Sequence, residues 1–144
     1  MKILFLDVDG VLNHKGTKER VVTKHGSFIS LDAMLVKRLQ DWLRDHPDVK
    51  IVLSSSWRED TLYDGAFTRA LHDAGINWIS ETPRIGRRGV EIAAWLDQND
   101  CSRWAILDDD GDMHPVGKFH AQTSAKRGLE DKHLKKIAEW LDGL

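Results

Sequence analysis

Cysteine is nearly missing. Cys101 stands alone among 144 residues, which excludes an internal disulfide and a cysteine-based zinc cluster. A reducing, cytoplasmic compartment is the default expectation. An excess of one charge is missing too: 21 basic against 23 acidic side chains leave a net charge of −2. That balance excludes a strongly basic wrapper of nucleic acid but leaves room for a local basic patch. Long apolar runs are also absent. Ile3-Leu4-Phe5-Leu6 is cut short by Asp7, too early for a signal peptide or a membrane span, so no membrane partner is expected. None of the seven histidines stands at metal-ligand spacing from another; only His114 and His120, near an acidic turn, draw notice. Cys101 lies in the polar link Asn99-Asp100-Cys101-Ser102 with no histidine nearby in sequence, a poor setting for a nucleophile.

What is present centres on Ile3-Leu4-Phe5-Leu6-Asp7-Val8-Asp9-Gly10-Val11-Leu12-Asn13. Four apolar residues make a short buried strand, and two carboxylates follow at its carboxyl end, one residue apart. A strand alone sends alternate side chains to opposite faces. Gly10 allows the chain to turn and bring both acids to one rim. Carboxylates that close demand a cation between them or a proton on one, which is costly for a fold and useful for a reaction.

The rest of the chain alternates strand and helix. Residues 14–29 read as a loop or small β-flap around Val21-Val22. Ser30 is the expected N-cap of a helix carrying Leu31, Leu35, Leu39 and Trp42 at helical spacing, ended by His46-Pro47-Asp48. Val49-Lys50-Ile51-Val52-Leu53 predicts a second buried strand. A helix follows from about Thr61 to Ala74, then a short strand over residues 76–79, a basic turn Arg84-Ile85-Gly86-Arg87-Arg88-Gly89 and a helix over 90–98. Trp104-Ala105-Ile106-Leu107 is the next strand and runs into Asp108-Asp109-Asp110-Gly111-Asp112. A short strand near 119–123 and a last helix over 130–141 complete the chain. This order predicts one α/β domain over 1–144, with a mostly parallel sheet and helices on both faces. Ligands of such folds collect outside the carboxyl ends of the strands. Asp7 and Asp9, Ser54 to Ser56, and Asp108 to Asp112 all fall there.

Asp7, Asp9 and Asp108 together suit one hard divalent cation, with Mg2+ favoured by a few carboxylates plus water and phosphate oxygens. Alone, the acidic run 108–112 reads as an ordinary turn; its pairing with the first acidic strand end makes it a site. Ser54, Ser55 and Ser56 offer hydroxyls and backbone amides for an anion. Arg58 is a candidate phosphate contact, and Trp57 either walls the site or belongs to the core. Arg84, Arg87 and Arg88 precede a helix whose amino end favours anions, and an arginine fork suits a phosphoryl group. A solvated turn is the plainer reading of Arg84 and Arg87, and Lys126-Arg127 is a weaker basic pair.

Asp7-Val8-Asp9-Gly10-Val11-Leu12-Asn13 resembles motif I of the haloacid dehalogenase-like (HAD) superfamily. Leu53-Ser54-Ser55-Ser56-Trp57-Arg58 resembles its motif II, and Ile106-Leu107-Asp108-Asp109 its motif IV. The nearest branch by resemblance is the compact HAD domain of RNA-repair proteins and polynucleotide kinase-phosphatases. The resemblance implies a three-layer Rossmann-like fold and an aspartyl-phosphate mechanism. Asp7 would be the nucleophile and Asp9 the general acid and base. Mg2+ would be held by Asp7, the Asp9 backbone carbonyl and Asp108, with Asp109 or Asp112 in an outer shell. Ser55 is the first choice for the motif II hydroxyl and Ser54 the next. Where the family usually places a motif III lysine, Arg88 is the best-placed residue, with Arg87 or a lysine elsewhere as alternatives. Residues 14–29 and 76–88 leave no room for a cap domain, which suits a large substrate such as a phosphorylated nucleic-acid end. A metal-dependent nuclease and a non-catalytic binding module of the same fold remain open alternatives at this point.

Overall fold

The computed structural model describes residues 1–60 and 63–143. In chain order its elements are β1 (Lys2–Leu6), β2 (Arg20–Thr23), β3 (Gly26–Ile29), α1 (Ala33–Asp45), β4 (Val49–Leu53), α2 (Ala66–Asp73), β5 (Ser80–Glu81), α3 (Arg88–Gln98), β6 (Arg103–Asp108), β7 (His120–Gln122) and α4 (Asp131–Asp142). Five strands form one parallel sheet in the order β5-β4-β1-β6-β7. β2 and β3 pair separately as an antiparallel hairpin, the flap expected over residues 14–29.

β1 lies at the centre because it is apolar on both faces, as a strand covered on both sides must be. Leu4 and Leu6 point into a core shared with Leu35 and Leu39 of α1, Leu71 of α2 and Ile137 of α4. Ile3 and Phe5 point the other way, onto Ile92 and Trp95 of α3 and onto Met113 and Val116. Phe5 meets Trp95 edge to face, with ring centroids 5.4 Å apart. Each such fully buried side chain contributes about 1.5–3 kcal/mol relative to exposure. The result is the expected three-layer Rossmann-like α/β fold, without a cap domain among the described residues. The strand order reverses between β1 and β6, and the crevice beyond their carboxyl ends is where such sheets take ligands.

Four boundaries differ from those read in the sequence. The N-cap of α1 is Asp32 rather than Ser30: the Asp32 Oδ1 accepts from the amides of Met34 and Leu35, at 2.9 and 3.1 Å. The Ser30 amide instead donates to the Glu19 carbonyl, prolonging the flap ladder. The strand expected at 76–79 forms one step later, at Ser80–Glu81. α3 begins at Arg88, so the last arginine of the basic turn enters the helix. Of the helix expected from Thr61, residues 61 and 62 lie outside the described residues, and regular helix begins at Ala66.

Candidate active site

The chain leaves β1 still paired on both sides: the Asp7 amide donates to the Leu107 carbonyl, and the Ser54 amide to the Leu6 carbonyl, each at 3.0 Å. The ends of β1, β4 and β6 are therefore locked level. The turn after Asp7 then closes through the amides of Val11 and Leu12, both donating to the Val8 carbonyl. Gly10 adopts a φ of 78°, and a Cβ there would lie 2.2 Å from Asp109 Oδ2. Only glycine meets both demands. Its amide donates to Asn13 Oδ1, and its carbonyl accepts from Thr123 Oγ1.

Asp7, Asp108 and Asp109 converge, each offering a carboxylate oxygen within 4.8 Å of the others. Asp7 is 5% exposed and Asp108 fully buried. A hard cation ringed by carboxylate oxygens at about 2.1 Å needs donors grouped on this scale, so the three side chains fit one. Burial, and then the Asp108 carboxylate, push the Asp7 carboxyl well above its ordinary range, with Arg88 opposing. Burial also raises Asp109. The cluster is thus electrostatically unfavourable by itself, as a site built for a cation should be.

The Arg88 Nη1 reaches Asp108 Oδ2 at 2.5 Å and Asp7 Oδ1 at 3.3 Å. The first residue of α3 thereby bridges two strand ends. Gly89 permits this docking, since a Cβ there would lie 2.2 Å from the His114 carbonyl oxygen. Arg84 and Arg87 are exposed, and Arg87 pairs with Asp112 at 3.5 Å.

The other candidates part company. Asp9 stands outside the three-carboxylate cluster, its Oδ1 accepting from Asn13 Nδ2 at 2.9 Å and Trp57 Nε1 at 3.1 Å. Trp57 is 3% exposed, so it is both core and a support for Asp9. Asp109 is drawn into the cluster, whereas Asp112 points to Arg87 and caps the His114 amide. Ser55 Oγ is occupied, accepting from the Trp57 amide. Ser56 is exposed, and Ser54 Oγ is buried without a partner among the described residues. His120 Nε2 donates to the Asp108 carbonyl.

Arg58 requires a correction. It is buried, and it donates to the carbonyls of Ser54, Ser55, Thr82 and Pro83 and to Glu91 Oε1. Its guanidinium is spent inside the protein, tying β4 to β5 and α3, and does not face a phosphate. Glu91 and Asn13 were not among the residues singled out from sequence. Asn13 sits one helical turn beyond Asp9, a spacing that could have drawn attention to it.

The raised Asp7 carboxyl has a testable consequence. The folded chain keeps a proton that the unfolded chain releases near pH ~4. Stability from this group is therefore full below that pH and is lost as pH rises through the folded value. In chelator, the melting temperature should fall with pH over this window, and a divalent cation, binding only the folded cluster, should flatten the fall. Calorimetric scans with EDTA and with Mg2+ measure it; parallel pH profiles would contradict the cluster's electrostatics.

Among the described residues, no helix is long and apolar enough to cross a membrane. The family model described as HAD domain in Swiss Army Knife RNA repair proteins matches residues 3–134. No curated protein and no solved structure matches the chain.

Proposed function

The chain belongs to the family of HAD domains in Swiss Army Knife RNA repair proteins, and from that premise we propose that it is a Mg2+-dependent phosphomonoesterase acting on phosphorylated nucleic-acid ends. One observation carries the reading: three carboxylates and one arginine converge at the sheet's switch point, while a fourth carboxylate, Asp9, is held just outside them. A nuclease needs the cluster but has no task for a separately held Asp9.

Asp7 attacks phosphorus through a carboxylate oxygen. The new Asp7–phosphorus bond forms as the bond to the leaving alcohol breaks. Asp9 donates its proton to that alcohol, then accepts one from the water that hydrolyses the aspartyl-phosphate, so both residues return to their starting states. Trp57 and Asn13 occupy Asp9 Oδ1, which leaves Oδ2 for the proton. Arg88 orients Asp7 and fills the role of the family's motif III cation. The unpartnered hydroxyl favours Ser54 over Ser55 as the motif II donor to a phosphate oxygen. Mg2+, held by Asp7, Asp108 and Asp109, would neutralise phosphate charge and align it with the nucleophile. The open, uncapped rim and the exposed Arg84 and Arg87 suit a strand rather than a small metabolite.

Incubation with Mg2+ and 3′- or 5′-phosphorylated oligonucleotides should release inorganic phosphate, and beryllofluoride should inhibit by occupying Asp7. Cleavage of an unphosphorylated strand without phosphate release would establish the nuclease instead. Binding of phosphorylated ends with no turnover of any ester would make the domain a binding module.

A further inference from the structure

A cavity of about 410 Å³ opens beside Asp9, between the β2–β3 hairpin and the turn that follows β4. Asp9 forms part of its wall; Phe28, Trp57, Tyr63 and Phe67 form much of the rest. The rings meet edge to face or tilted: Phe28 and Tyr63 at 5.4 Å and 80°, Tyr63 and Phe67 at 4.9 Å and 81°, Trp57 and Phe67 at 4.9 Å and 55°. Such contacts do not sandwich the rings. Phe28 and Tyr63 are only half-buried, so aromatic surface remains for a flat guest. Ser56 and the exposed Glu59 add polar groups to the lining.

The position of the cavity identifies what it takes. In the phosphatase reading, on which this inference rests, Asp9 hands its proton to the leaving oxygen. The body of the leaving alcohol then lies beside Asp9, where this cavity, lined by Asp9 but not by Asp7, opens. The geometry points to a subsite for the nucleobase of the nucleotide that loses its phosphate. A base supplies a flat ring for Phe28 and Tyr63, and N–H groups that Glu59 and Ser56 can accept. A phosphoserine peptide supplies no flat ring. The Glu59 carboxylate also repels the strand's remaining phosphates, which selects for the base rather than the backbone inside the cavity. The terminal residue enters unpaired and unstacked from its neighbour, so frayed or single-stranded ends are preferred to flush duplex ends.

The test uses an oligonucleotide with 2-aminopurine as its phosphorylated terminal residue and the full chain carrying Asp7→Asn, so that binding is read without chemistry. Binding should quench the 2-aminopurine emission, and adding Tyr63→Leu, which keeps apolar volume but removes the ring, should restore emission and weaken binding roughly tenfold. Phe28→Leu repeats the comparison if Tyr63→Leu unfolds. In the active protein, an abasic phosphorylated end should raise KM roughly tenfold while leaving kcat near its value, and Tyr63→Leu should erase the difference between the two ends. Tight binding without quenching, or equal KM for base-bearing and abasic ends, would overturn the subsite while leaving the phosphatase reading intact. Faster turnover of a phosphotyrosine peptide than of any oligonucleotide would assign the cavity to a phenol ring and overturn it as well. Quenching that depends on Tyr63, with no phosphate released by the unsubstituted chain, would uphold the subsite and end the hydrolytic reading instead.

Discussion

Asp7→Asn is expected to lower turnover on the order of 10⁴-fold or more while leaving the metal-free chain at least as stable as its parent. The amide is nearly isosteric with the carboxylate but carries no nucleophilic oxygen, so covalent transfer has no acceptor. The stability half follows from the site's electrostatics. Asp7 is 5% exposed and faces the Asp108 carboxylate, and both conditions favour its neutral form. Asparagine is neutral at every pH and relieves that repulsion. What it forfeits is the 3.3 Å contact to Arg88, which still has Asp108 as its nearer partner. A gain of about 1 kcal/mol, worth a few degrees in the melting temperature of a chain this size, is the expected balance at neutral pH. The stabilisation that Mg2+ gives the parent should shrink in the variant, because a neutral amide oxygen replaces one of three carboxylates. Phosphate release and thermal melts in EDTA and in Mg2+ measure each half. Turnover within tenfold of the parent would remove Asp7 as nucleophile. A melting temperature many degrees lower would mean that its attraction to Arg88 outweighs its repulsion from Asp108.

That argument needs only the acids, and the acids were the legible part. β1, β4 and β6 each carry a buried apolar run, Ile3–Leu6, Ile51–Leu53 and Ala105–Leu107, and the carboxyl-end rule then brings Asp7, Ser54 and Asp108 together without further information. Arg88 was within reach for a similar reason, lying at the head of a helix whose start a glycine-rich basic turn announces. Contacts that depend on long-range packing were not legible. Arg58 follows three serines and looks like a phosphate ligand, yet its partners Thr82 and Glu91 lie 24 and 33 residues away. Trp57 and Asp9 are 48 residues apart, and nothing local in either segment joins them. The choice between Ser54 and Ser55 turned on which hydroxyl a 3₁₀ turn would use as its cap, a matter of a single residue's register. The cap of α1 failed in the same way: Ser30 and Asp32 are both good caps, and the flap ladder, formed with Glu19, decided between them.

The second large effect belongs to one of those illegible contacts. Glu91→Ala should cost about 3–5 kcal/mol, lowering the melting temperature by roughly 10 °C, although Glu91 touches neither Asp7 nor the cation cluster. Its carboxylate and the Arg58 guanidinium are 8% and 3% exposed, and they meet at 2.8 Å. Removing the acid leaves a buried positive charge with only carbonyls around it. It also frees the amides of Ile85 and Gly86, which Glu91 Oε2 accepts at 3.0 and 3.4 Å, and so loosens the turn that delivers Arg88. Glu91→Gln separates these contributions. Its single carbonyl oxygen can serve Arg58 or the two amides but not both, so its cost should fall to about 1–2 kcal/mol, the range for one unsatisfied buried group. Replacing both partners, as in Arg58→Met with Glu91→Leu, should not recover the parent's stability, because the carbonyls of Ser54, Ser55, Thr82 and Pro83 would lose their shared donor. Turnover should fall with Glu91→Ala at temperatures where the variant is still folded, through a displaced Arg88 rather than a lost ligand. Denaturant titration and kcat measured together decide this. A Glu91→Ala chain as stable as its parent would mean that water reaches Arg58 and that the turn before α3 holds its shape unaided.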